Sequence, residues 1–111
     1  MTIREATRYT VSASCDDPGV AAEWVAWLRD EHLADVLAAG ALDAEVVALE
    51  GAAAVPVELE VRYRFADRAS LEQYFADHAP RLRAEGLAKF PPERGIRYRR
   101  SVGEAVVTQT R

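Results

Sequence analysis

Residues 57–65, VELEVRYRF, alternate without a break: Val57, Leu59, Val61, Tyr63 and Phe65 fall on one side, Glu58, Glu60, Arg62 and Arg64 on the other. A period of two marks a β-strand, and so clean a split marks one that is buried on a single face. A chain built around it needs a sheet with helices over one face and charge on the other. Two more segments fit that need. In residues 8–15, RYTVSASC, Tyr9, Val11, Ala13 and Cys15 alternate with Thr10, Ser12 and Ser14, and residues 42–49, LDAEVVAL, read as a second strand. The last strand is expected over 96–107, IRYRRSVGEAVV, with a bulge at Gly103.

The helices come between. In DDPG, Asp16 or Asp17 caps a helix and Pro18 occupies its first turn, where the missing amide needs no partner. Ala21, Trp24, Val25 and Leu28 form one apolar stripe; Leu33, Val36 and Leu37 form a second, which ends at Gly40. Residues 50–56, EGAAAVP, are a flexible connection. A second helix, capped by Asp67 or Ser70, carries Leu71, Tyr74, Phe75 and His78 toward the core. Pro80 interrupts it and starts a short extra helix that ends near Gly86, and KFPPERG is a loop. The order β-α-β-β-α-β predicts an α+β, ferredoxin-like domain: a four-stranded antiparallel sheet with both helices on one face. One domain fills 1–111, with a core of about 8–107 and flexible ends at 1–7 and 108–111. The charged sheet face is either solvated or covered by the same face of a second copy, and the latter, a homodimeric α+β barrel, is the expectation.

Charge narrows the partners. The net charge is −4, and of fourteen basic residues only Lys89 is a lysine. Mild acidity argues against a nucleic-acid binder, whose affinity rests on neutralising phosphates. The cluster Arg94, Arg97, Arg99 and Arg100 around Tyr98 is expected to be solvated or paired with carboxylates, because Glu58 and Glu60 occupy the face where an RNA-binding sheet needs stacking rings. No apolar run is long enough to cross a membrane. One cysteine, Cys15, and a charged N-terminus, MTIREATRYT, predict a cytoplasmic protein. Cys15 is read as a small buried residue, and neither a nucleophile elbow nor a Gly-rich phosphate loop is present.

Trp24 and Trp27, then His32, Asp35-Val36-Leu37 and Gly40, and later LEQYFADHAPRLRAEGLAKF with His78-Ala79-Pro80 and Leu87 to Phe90, are similar to a small bacterial family known as domain of unknown function 4286. The resemblance spans roughly residues 8–105. It implies a ferredoxin-like domain of the dimeric α+β barrel type, and it implies no activity.

LRDEHLAD, residues 28–35, is where a site is expected. On one unbroken helix His32 falls within ~40° of Leu28 and Asp35 within ~20°, both on the apolar face. The second apolar stripe, however, is rotated by about 100°, so a break near Asp30 is predicted, with Asp30 capping a second short helix. Either His32 is only a bend residue satisfied by a carboxylate, or it edges a pocket between helices and sheet, with Asp35 or Glu31 fixing its tautomer. His32 and Asp35 are thus the catalytic candidates, and Trp27, Glu31 and His78 the ligand-binding ones. Trp27 lies about 60° from Trp24 around the helix, at the core's margin, either as packing or as an aromatic wall. His78 is otherwise a helix-end residue. No metal site is expected, since His32 and His78 sit at opposite ends of the sheet and no third His or Cys serves as ligand. Two functions fit: a cofactor-free homodimeric binding or interaction module, or a small-molecule enzyme of the dimeric α+β barrel class, monooxygenase- or isomerase-like.

Overall fold

The computed structural model describes residues 6–50 and 56–111. The elements are β1 (Thr7–Cys15), α1 (Pro18–Trp27), a π-helical turn (Leu28–His32), α2 (Leu33–Ala38), β2 (Asp43–Leu49), β3 (Val57–Phe65), α3 (Arg68–Asp77), α4 (Ala79–Lys89), a 3-10 turn (Pro92–Arg94) and β4 (Ile96–Glu104). The strands form one antiparallel sheet in the order β2-β3-β1-β4, the ferredoxin-like arrangement the sequence predicts. Most of the connection at 50–56 and of the segment 1–7 lies outside the described residues, although Thr7 is buried and pairs with both Phe65 and Glu104. No helix among the described residues is long and apolar enough to cross a membrane.

Strand register decides which side chains meet the helices. Tyr9 opposes Tyr63, Ala13 opposes Leu59 and Tyr98, and Cys15 opposes Val57 and Ile96, so one face collects the apolar members of every strand. Trp24, Leu28, Val36, Leu71, Tyr74 and Leu82 close over that face, all buried. The opposite face carries Glu58, Glu60, Arg62 and Arg64, with Ser14 donating to Glu58 at 2.7 Å and Ser12 to Glu60 at 3.4 Å. Asp17 caps α1, accepting from the Gly19 amide at 2.7 Å, and Asp67 caps α3, accepting from Ser70 at 2.8 Å. Asp16 is instead bonded to Arg97, whose guanidinium holds its carboxyl below the usual carboxylate range.

The predicted break at Asp30 does not occur. The helix passes continuously from α1 into α2 through the π-helical turn, where the Leu33 amide donates to the Leu28 carbonyl five residues back, and Asp30 pairs with Arg29 instead of capping. An inserted residue shifts the helix phase by about 100°, the rotation between the two apolar stripes. Leu28 and Val36 are thereby both fully buried in one continuous helix, while Leu37, at 41% exposure, is not part of the core. Gly40, with φ +126°, turns the chain out of α2 in a conformation that favours glycine.

Three other expectations are corrected. The extra helix does not stop near Gly86 but runs to Lys89. Gly86 is instead a point of close approach: a Cβ there would lie 3.3 Å from Trp27 Cη2. Gly103 marks no bulge, since its pairing with Arg8 continues the register to Thr7 and Glu104. The last strand ends at Glu104, leaving Val106 and Val107 exposed beyond it.

Inserting one alanine after Glu31 rotates α2 by a further ~100° and turns Val36 away from the sheet. The expected loss is about 2–4 kcal/mol, the range for removing a large aliphatic side chain from a core, read from urea unfolding. An unchanged midpoint would mean that the extra residue does not set the phase of α2.

Candidate functional site

The π-helical turn has a second effect: it places His32 beneath Trp27. The two rings stack with centroids 4.4 Å apart and 21° between planes, and Trp27 also meets Phe90 at 5.6 Å. Trp27 approaches α4 because Gly86 presents no side chain. Between this helix, α4 and the covered face of β1 and β4 lies a cavity of about 50 Å³, lined by Tyr9, Trp24, Trp27, His32 and Tyr98 among others. Arg83 of α4 and Arg100 of β4 also line it.

His32 is half-buried, and its Nδ1 is buried without a hydrogen-bond partner among the described residues. Burial holds its pKa below the ordinary histidine value, against the opposing pull of the Asp35 charge. The imidazole is thus a neutral group with one ring nitrogen still to be satisfied. The carboxylate contacts expected for it are not made. Asp35 is exposed and makes no hydrogen bond to the ring; Glu31 is exposed and lines a separate surface depression with Trp27, Lys89 and Arg94. The extra residue of the π-helical turn accounts for Asp35, which it carries from the apolar side to the outside of the helix while His32 stays on the inner side. His78, at the junction of α3 and α4, has its Nδ1 3.5 Å from Arg81 Nη2 and does not line the cavity. Among the described residues, no group of three or more His, Cys, Asp and Glu is placed to hold a metal ion.

Tyr63, Tyr74 and Tyr98 are neutral hydroxyl groups at ordinary pH. Burial pushes Tyr74 and Tyr98 up to about 12 and Tyr63 higher still. Tyr98 donates to the Phe90 carbonyl at 2.9 Å, and Tyr9 accepts from Arg83 Nη2 at 3.2 Å. Burial also raises the Cys15 thiol, which keeps it inert beneath the helices. Sequence reasoning missed Arg83 and Arg100. Parity along β4 is the signal that finds Arg100: Ile96 and Tyr98 face the helices, so Arg100 does too.

The folded pKa of His32 lies below its unfolded value, so the unfolded chain takes up the proton first. Stability is then unaffected by this group above about pH 6.5 and falls as pH drops toward the folded value, by at most about 1.4 kcal/mol per pH unit. An NMR titration of the His32 ring is expected to give a midpoint below that of a free histidine. His32→Gln is expected to remove this part of the acid sensitivity in urea melts. A midpoint at or above the ordinary value would show that the ring is solvated or paired.

Three solved structures resemble the fold along nearly their whole lengths. A dimeric ferredoxin-like protein from an uncultured marine organism is 14% identical with a TM-score of 0.66, over 95% of this chain and 99% of the other. An ethyl tert-butyl ether d (EthD) family protein from Bacillus halodurans is 16% identical with a TM-score of 0.61, over 89% and 99%. A dimeric ferredoxin-like protein of unknown function from Thermobifida fusca is 17% identical with a TM-score of 0.54, over 96% of each chain. At these identities the likeness shows the fold alone. No curated protein matches the chain. The family model described as domain of unknown function (DUF4286) matches residues 7–99, and the chain belongs to that family.

Proposed function

We propose that the protein is a cytoplasmic homodimeric module that binds a small molecule in the cavity between its helices and its sheet. The observation that carries this reading is the unpartnered Nδ1 of His32 beside a cavity walled by Trp24, Trp27 and Tyr98. A buried polar atom left without a partner is destabilising, and a bound molecule that satisfies it offsets the loss. At about 50 Å³ the cavity does not admit a haem-sized cofactor without displacement of α4. Binding is favoured over catalysis because, among the described residues, no second group is hydrogen-bonded to the buried imidazole nitrogen to make it a directed acid or base.

Homodimerisation through the open sheet face is supported by the dimeric ferredoxin-like neighbours and by the charge order along β3. Glu58 and Glu60 precede Arg62 and Arg64 on that face. A second copy facing it across a two-fold axis perpendicular to the strands sets its arginines over these glutamates. The same acidic pair disfavours nucleic acid there. The unpaired Cys15 fits a cytoplasmic setting.

A second reading, a small-molecule enzyme, is favoured by one observation: a neutral imidazole with a free nitrogen at a cavity is a proton acceptor in waiting. The EthD family neighbour fits that reading only through its fold. On this reading His32→Ala lowers turnover of an identified substrate far more than it lowers thermal stability; equal losses leave the histidine structural.

Native mass spectrometry of untagged protein tests the proposal, with a dimer carrying extra non-covalent mass as the expected spectrum. A monomer without added mass overturns both halves. For the interface, Arg62→Glu combined with Arg64→Glu is expected to weaken dimerisation at least ~10-fold, and mixing with the Glu58→Arg, Glu60→Arg chain to restore pairing. Dimerisation untouched by the reversal would place the interface elsewhere.

A further inference from the structure

We infer that the ligand of this cavity is a small organic carboxylate, held at its charged end by Arg83 and Arg100; the inference rests on the pocket reading above. The cavity lining contains these two arginines and His32, and not one aspartate or glutamate. That is a marked local imbalance in a chain with 18 acidic and 14 basic residues. Arg62 pairs with Glu60, Arg64 with Asp43, Arg94 with Glu23 and Arg97 with Asp16, while Arg8 and Arg99, which have no carboxylate partner among the described residues, project from the open sheet face. Among the described residues, neither Arg83 nor Arg100 has such a partner.

Nor are these two side chains loose. Arg83 donates to the Tyr9 hydroxyl and lies 5.5 Å from the Phe75 ring centre. Arg100 lies 6.0 Å from the ring centre of Tyr98, whose own hydroxyl is committed to the Phe90 carbonyl. A guanidinium resting against a ring gives up water on one face and keeps its in-plane N–H groups for a planar acceptor, which a carboxylate provides. Aromatic walls suit an apolar body behind that head. The volume of about 50 Å³ restricts the enclosed part to a short aliphatic chain, since a cavity of roughly 150 Å³ is what takes up benzene. Inorganic phosphate satisfies the arginines but leaves the apolar walls without a partner.

Butyrate, butyramide and inorganic phosphate separate the alternatives in an NMR titration that follows the Arg Nε–H signals, the His32 ring and the Trp27 indole. Butyrate is expected to shift Arg83, Arg100 and His32 saturably, and the neutral amide to leave them unmoved. Arg83→Gln and Arg100→Gln are each expected to weaken butyrate at least ~10-fold, with Arg100→Lys recovering part of the loss. Native His32 and Trp27 signals in each variant show that the cavity has kept its shape. Butyramide binding as well as butyrate, with the arginine variants unaffected, overturns the anion and leaves the pocket standing. Phosphate acting at lower concentration than butyrate overturns the organic class. If no probe moves His32 or Trp27 and native mass spectrometry shows no retained molecule, the pocket reading falls with it.

Discussion

One extra residue in the first helical layer governs the rest of the molecule. A straight helix from Pro18 to Ala38 presents a single stripe, and no single stripe contains both Leu28 and Val36 together with the residues between them. The π-helical turn at Leu28–His32 changes the phase in mid-helix, so the layer lies flat on the sheet at both ends. The wider turn is held by the burial of Val36 and the continuity of the helix. The same turn rotates His32 under Trp27, and Gly86 leaves the indole room to reach α4. Core and cavity are therefore consequences of the same insertion, which fits the frequent occurrence of such turns at functional sites.

This also marks where the sequence stops being readable. The alternation in VELEVRYRF and in RYTVSASC is enough for the sheet, its buried face and its charged one, because side-chain direction in a strand follows from position alone. The rotation of about 100° between the stripes of the first helix was equally visible. A broken helix and a π-helical turn both supply that rotation, and only the backbone bond from Leu33 to Leu28 distinguishes them; no side-chain pattern records it. Gly86 illustrates the same limit. From sequence it reads as a helix stop, whereas the structure uses its missing side chain as space for Trp27, a contact between residues 59 positions apart.

Of the sequence's site candidates, the structure sets His32 and Trp27 together and leaves Glu31, Asp35 and His78 off the cavity. The misplacement has a physical source. Helical angles computed without the inserted residue put Asp35 beside Leu28, and a single added residue is sufficient to carry it to the outside. Arg83 was invisible for another reason: α4 is amphipathic enough to specify Leu82 as buried, but nothing local states that the next residue leans back over β1 to reach Tyr9. That neighbour lies 74 positions away.

What separates the two cavity arginines from the others is their surroundings, not their exposure. Arg8 and Arg99 project from the open sheet face, where water solvates a guanidinium without assistance. Arg62 and Arg64 on that face pair with Glu45 and Asp43 of the neighbouring strand and Arg97 with Asp16 of the adjoining turn, and such pairs help to fix how strands sit beside one another. Arg83 and Arg100 are exposed as well, but they stand over aromatic rings at the rim of an apolar hollow, where a carboxylate from the chain itself would have filled the gap. Glu23, Glu31 and Glu85, each next in sequence to a residue of the cavity wall, are exposed and do not line it. A net-acidic chain that withholds its carboxylates from this one hollow has left the counter-charge to be supplied from outside.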